Sequence, residues 1–157
     1  SAVSLGYQTT ARNASVAIGS QAGNNSSSSA NYVAVGRTAK AETDAVAVGH
    51  LVTATASGSI AVGKSAEATS VGAMALGRNS KATFDNSIAL GEGVETALAN
   101  ELAIGARHIL ISETVSPPIA APSAGTARLM LIDDGAGKLQ LAVRFPTGAV
   151  QIIATEP

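Results

Sequence analysis

Along the first two thirds of the chain, small and large apolar residues alternate in a pentapeptide that ends in glycine. It occurs as AVSLG (2–6), SVAIG (15–19), YVAVG (32–36), AVAVG (45–49), SIAVG (59–63), AMALG (73–77), SIALG (87–91) and ELAIG (101–105). The glycines are spaced by 13, 17, 13, 14, 14, 14 and 14 residues. A second, weaker alternation follows, with small residues three and five positions after the glycine, as in Ala39/Ala41, Val52/Ala54, Ala66/Ala68 and Ser80/Ala82. Period-two patterning predicts strands. Alanine favours helix, but a glycine every turn of the repeat, with Thr, Ser and Asn between, opposes it. Each unit therefore reads as two short strands joined by turns, one coil of a solenoid. Coils stacked in parallel at ~4.8 Å per rung would make a rod roughly 40 Å long from eight units. The polar run at 24–29 accounts for the 17-residue spacing and belongs in an exposed corner loop.

Stacking turns each repeat position into a column. Two before the glycine, seven of eight residues are Ala, from Ala17 to Ala103. The flanking columns are large: Val16, Val33, Val46, Ile60, Met74, Ile88 and Leu102 on one side, Ile18, Val35, Val48, Val62, Leu76, Leu90 and Ile104 on the other. The first strand is thus apolar on both faces, whereas a strand with one buried face needs only one. A flat two-strand coil has an interior that only Ala, Ser or Thr can fill. The Ala columns of both strands are expected inside it, with the large aliphatic columns outside as a continuous apolar strip. A strip of that kind on a monomer is an aggregation site, and a symmetric homo-oligomer covers it.

Composition agrees. The sequence is 46% hydrophobic but 3% aromatic and 13% charged, with 32 Ala, 16 Gly, no Trp and no Cys in 157 residues. Small side chains cannot fill the core of an ordinary globular enzyme. Positive mean hydropathy and sparse charge oppose disorder. A net charge of −1 gives no electrostatic case for nucleic acid or anionic membrane, and no apolar run is long enough for membrane insertion as a helix. Without Cys there is no disulfide and no thiolate metal site.

Charge also falls in columns. Glu67, Lys81 and Glu95, four after successive glycines, predict a ladder of alternating sign on adjacent rungs. The position after the glycine reads Arg37, His50, Lys64, Arg78 and Glu92. Four basic groups at strand spacing should repel. The column is either a strip for an anion or a glycan, or it is neutralised by carboxylates of a neighbouring subunit, such as Glu42 or Asp44; pairing is the more ordinary fate of surface charge.

SVAIG, SIAVG and SIALG, in a repeat of mostly 14 residues with G-x-x-A-x-A after glycines such as Gly36 and Gly63, resemble the head repeats of trimeric autotransporter adhesins, the YadA-like heads. The resemblance covers residues 1 to about 105. It implies an all-β fold, a homotrimer of left-handed parallel β-rolls, with the large aliphatic columns at the trimer axis. It also implies adhesion, since such heads bind host matrix proteins in some bacteria, while similar repeats occur in phage tail fibres.

The last 50 residues depart from the adhesin pattern, with neither sustained heptads nor aromatic-girdled strands. Residues 107–111 read as a last strand closing a repeat domain of eight coils (1–111). A Pro/Ala/Ser linker follows at 112–125. A small C-terminal β domain spans 126–157, with strands at 126–132, 138–145 and 149–154 and hairpin turns at 134–137 and 146–148. Residues 138–157 are similar to the C-terminal ends of phage and prophage tail proteins.

No active site assembles. His50 and His108 stand on different rungs, Asp133-Asp134 before Gly135 is turn chemistry, and Lys81 stands between Glu67 and Glu95. No catalytic, cofactor or metal residue is expected. The leading expectation is a non-enzymatic, trimeric module of a phage tail fibre, placed in the virion, attaching to a glycan or protein receptor on the bacterial surface and joined to other tail proteins. The alternatives are the head of a bacterial trimeric adhesin at the cell surface, binding host matrix protein, and a fragment of a glycan-degrading tailspike.

Overall fold

The computed structural model describes residues 1–23, 29–105, 128–133, 139–144, 147 and 149–155. The chain divides into two compact units, Ser1–Arg107 and His108–Pro157. The expected last strand at 107–111, the linker at 112–125, the loop residues 24–28 and the turn at 134–137 lie outside the described residues.

In chain order the strands are β1 (Val3–Leu5), β2 (Val16–Ile18), β3 (Val33–Val35), β4 (Lys40–Ala41), β5 (Val46–Val48), β6 (Thr53–Ala54), β7 (Ile60–Val62), β8 (Glu67–Ala68), β9 (Met74–Leu76), β10 (Lys81–Ala82), β11 (Ile88–Leu90), β12 (Leu102–Ile104), β13 (Arg128–Asp133), β14 (Leu139–Arg144) and β15 (Val150–Thr155). The pentapeptides form one parallel sheet of eight strands, β1-β2-β3-β5-β7-β9-β11-β12. The second strands form a parallel sheet of four, β4-β6-β8-β10, prolonged by a bridge from Lys81 to Glu95. Register follows the repeat: Ala47 pairs with Ala61, Ala61 with Ala75, Ala75 with Ala89. The first unit is the parallel β-solenoid that the repeat predicts. In the second unit β13, β14 and β15 make an antiparallel sheet, within two residues of the expected bounds, with a register shift at Leu141/Ala142.

The roll is one residue layer thick inside. Ala34, Ala47, Ala61, Ala75 and Ala89 of the first sheet, and Ala41, Ala54, Ala68 and Ala82 of the second, are all 0% exposed. Buried serines return their hydroxyls to the preceding turn: Ser59 Oγ donates to the Ala56 carbonyl at 2.7 Å and Ser87 Oγ to the Phe84 carbonyl at 2.7 Å. Two larger side chains enter this layer, Val52 and Tyr32. Tyr32 is buried in the coil that carries the extra residues, and its hydroxyl donates to the Thr10 carbonyl at 2.6 Å.

Both corners are left-handed. The residue two after the glycine has φ near +57° at Thr38, Leu51, Ser65 and Asn79, and the residue five before it does so at Asn31, Asp44, Asn86 and Asn100. Asn, Asp and Gly take that conformation at least cost, and the second corner is almost wholly built of them. The corners also pair along the rod, as in Leu51 N–H to Arg37 O at 3.0 Å and Asn86 N–H to Val71 O at 2.9 Å. The repeat glycine has a separate reason. Gly63 has φ +133°, and a Cβ there would strike the Gly77 carbonyl of the next coil. Gly58 has φ +68° but faces open space.

These two glycines predict unequal costs. Gly63→Ala should destabilise by at least ~2 kcal/mol, through conformational strain and displacement of the next coil. Gly58→Ala should cost only ~1 kcal/mol, the left-handed penalty alone. Thermal melts of the two variants check this, and equal losses would contradict the close-approach account.

Candidate functional site

Three surfaces of the roll carry side chains that the fold itself does not consume. The first is the outer face of the eight-stranded sheet. With the Ala column turned inward, the alternation of the strand leaves the fourteen large aliphatic residues from Val16 to Ile104 outward. None of them is buried; Val62 is 38% exposed, Leu90 42% and Leu102 58%. This is an unbroken apolar strip running along the roll.

The second surface is the corner after each glycine. Successive rungs are locked in register by Leu51 N–H to Arg37 O, Ser65 N–H to His50 O and Asn79 N–H to Lys64 O, at 2.9–3.0 Å. Arg37, His50, Lys64 and Arg78 therefore stack as the repeat spacing places them. Arg37 Nη2 lies 2.5 Å from His50 Nε2, so the guanidinium donates to a neutral imidazole. Partial desolvation, then Arg37, then Lys64, hold the His50 pKa below its ordinary value of 6.5. Arg78 pairs with Glu92, the one ion pair among the described residues. The carboxylates considered as neutralising partners are engaged within their own chain: Glu42 accepts from Ser29 Oγ, and Asp44 accepts from Asn31 Nδ2 at 3.2 Å.

The third surface is the outer face of the second sheet. Lys81 lies beside Glu67 and Glu95 in register, as the alternating column predicts. No ion pair forms between them, because neighbouring side chains that stand upright from a parallel sheet need not converge. Towards the first coils this face opens into a polar cleft of about 570 Å³ lined by Gln8, Thr10, Gln21, Lys40, Glu42 and Thr55 among others. Gly23 lines this cleft at φ +113°, where a Cβ would strike the Thr10 carbonyl rather than enter the cleft. It occupies the outward column between Thr10 and Lys40, where later coils carry Thr, Glu or Lys. The repeat pattern missed this, although a glycine out of phase with the others was its signal. It also missed exposed Val71, Phe84 and Leu98, which break the polar second corner; Phe84 and Leu98 stand at the same repeat position, seven before the glycine, on adjacent rungs.

Among the described residues no group of three or more His, Asp or Glu side chains could hold a metal ion. His108 and Asp134 lie outside those residues. No described helix is long and apolar enough to cross a membrane.

A two-sheeted parallel roll with an alanine interior and a large-aliphatic outer strip defines a class of fibrous β-solenoid modules. Within that class the chain carries YadA head domain repeats: residues 43–66 and 68–93 match the family model for that repeat in two copies. The fold is similar to the collagen-binding domain of the Yersinia adhesin YadA, with a TM-score of 0.56 and 28% sequence identity over 79% of this chain and 68% of that one. No curated protein sequence matches the chain.

A histidine held neutral between two cations has a signed pH effect. The folded state binds its proton less readily than the unfolded chain, so His50 stabilises the fold above its ordinary value and that stability is lost as pH falls below about 6.5. Melting temperature should therefore drop between pH 7.5 and 5.5, and His50→Gln should flatten that component of the slope. A His50-dependent rise in stability on acidification would contradict the arrangement.

Proposed function

We propose that the chain is a non-enzymatic, homotrimeric adhesive module that acts outside the cell, three rolls packing their aliphatic strips on a common axis. The observation that carries this reading is the strip itself. Fourteen outward aliphatic side chains on one sheet form a face that one chain cannot bury, and it belongs to the same sheet that carries the YadA-type repeats. A flat strip that repeats once per rung is self-complementary along its whole length, which suits a closed symmetric assembly. The resemblance to trimeric adhesins supplies the number three.

The repeat match and the likeness to an adhesin domain support the head of a bacterial surface adhesin more directly than a phage tail fibre. The ligand is then a host matrix protein, with a collagen-like fibre the first candidate because the similar Yersinia domain is collagen-binding. The tail-fibre reading rests on the C-terminal segment, 138–157, and predicts binding to the bacterial surface instead. Three equivalent sites on a rod let weak single contacts add through avidity.

Sedimentation should give a particle of three times the chain's 15.4 kDa. Val48→Asp with Val62→Asp should break it, because each charge would be buried without a partner at the axis, at several kcal/mol. A stable folded monomer of the unaltered chain would overturn the assembly. Retention on immobilised collagen, and not on lipopolysaccharide or capsule, supports the adhesin head; the reverse supports the tail fibre. Oligosaccharide released from capsule would overturn the non-enzymatic reading.

A further inference from the structure

The corner after the repeat glycine carries like charges on neighbouring rungs, an arrangement that costs stability unless something offsets it. The roll offers no offset of its own at Arg37 and Lys64. Among the described residues neither has a carboxylate within ion-pair distance. Glu42 is held by Ser29, Asp44 by Asn31, and Glu92 by Arg78. Both cations are exposed, and His50 between them is half-buried. The ladder of backbone hydrogen bonds from rung to rung fixes their order and spacing, so the charges form a straight row rather than a cluster. Arg37 to Lys64 spans two rungs, roughly 10 Å at strand spacing. Glu92 closes the row at its far end by neutralising Arg78.

We propose that Arg37, His50 and Lys64 form a binding strip for an extended anionic polysaccharide, one bearing sulfate or carboxylate groups along its length. A row of cations at a fixed repeat, on a rigid edge, complements a polymer with charges at a fixed repeat. A compact anion could meet only one or two of them. The one ring within the row is His50, held by Arg37, and Tyr7 stands two rungs beyond Arg37 in the same column, so no aromatic platform lies along the cations for successive nucleobases to stack on, which favours a polysaccharide over a nucleic acid. His50 gives the strip a proton-linked part. Arg37 and Lys64 are the charged groups facing it from the coils on either side, and on its own rung Asp44 is engaged by Asn31. A polyanion laid across the row would cancel the repulsion that keeps the imidazole neutral, so binding takes up a proton. The strip is a feature of one roll. The inference rests on the adhesive reading only for the location of its ligand, outside the cell.

The test uses the full chain with heparin fragments as the probe, with neutral dextran, inorganic sulfate and duplex DNA as comparisons. Binding should weaken steeply with salt, as release of counterions from a polyanion requires. Arg37→Gln and Lys64→Gln should each weaken it at least tenfold, Lys64→Arg should restore most of it, and Lys81→Gln on the second sheet should leave it within twofold. Lowering the pH from 7.5 to 5.5 should tighten binding at least threefold, and His50→Gln should remove that gain. Sedimentation and collagen retention, measured on the same variants, should not change. Failure of heparin binding with assembly and collagen binding intact overturns the strip and leaves the adhesive reading standing. Equal affinity for duplex DNA, displacement by inorganic sulfate at equal concentration, or loss of assembly in Lys64→Gln would each overturn it as well, the last by showing that a neighbouring subunit covers the row.

Discussion

The separation of the two sheets governs everything else in the roll. A coil of 14 residues that spends five on strands and the rest on two tight corners leaves its two backbones too close for any inward side chain beyond Ala, Ser or Thr along most of its length. Alanine contributes little area to the core, so each coil gains little from burial inside. The backbone ladder must supply much of the cohesion, at ~0.5–1.5 kcal/mol net per bond. Large aliphatic residues have no place but the outer face. The apolar strip is thus a geometric consequence of the thin interior, and a need for partners follows from it.

The same closeness explains why glycine and left-handed residues recur where they do. The carbonyl of the next repeat glycine lies directly against Gly19, Gly36, Gly49, Gly63 and Gly77, so a methyl group at any of them would press on backbone rather than on a yielding side chain. The left-handed positions turn the chain sharply while keeping their N–H groups pointed along the rod, where each finds a carbonyl on the preceding coil. A solenoid has no other way to satisfy a corner that must be both tight and hydrogen-bonded. Leu51 and Thr38 hold this conformation against their own preference, which shows that stacking of the corner outweighs a local cost of ~1–2 kcal/mol per residue.

Much of this was legible because period and register are properties of spacing. The Ala columns, the outward aliphatic columns, the stack of Arg37, His50, Lys64 and Arg78, and the antiparallel C-terminal strands all follow from counting. What counting could not reach depends on single side chains. Tyr32 sits in a column that is otherwise Ala and Ser from Ala2 to Ser87, and only the three-dimensional course of its longer coil shows that it fits. Gly23 looks like one more small residue until its left-handed φ and the Thr10 carbonyl pressed against it show that only glycine fits there. The Glu67–Lys81 neighbours were expected to gain from each other, and they are adjacent. Adjacency sets the backbone distance, however, and side-chain entropy and water decide the rest. The corner at Asn31, Asp44 and Asn86 was written in the sequence as a column of Asn, Asp and Gly. It reads as polar loop until the left-handed φ values give it meaning.

Repetition also constrains what such a surface can recognise. In a globular protein a site gathers unlike residues from distant parts of the chain. In a roll, neighbours in space are equivalent positions in successive repeats, so a site tends to be a row of similar groups at one spacing. A row of aliphatic residues is most simply met by an identical row, which is why the strip points to copies of the chain itself. A row of cations cannot be met that way, since a second identical row repels it. Its complement must be a different molecule, or a different column of the same one, with opposite charge at a matching interval. The nearest acidic columns are short and engaged: Glu42 with Ser29, Asp44 with Asn31, Glu92 with Arg78. The aliphatic and basic rows thus place opposite demands on their partners, self-association on one side of the glycine and an anionic polymer on the other, from columns only two positions apart in the repeat.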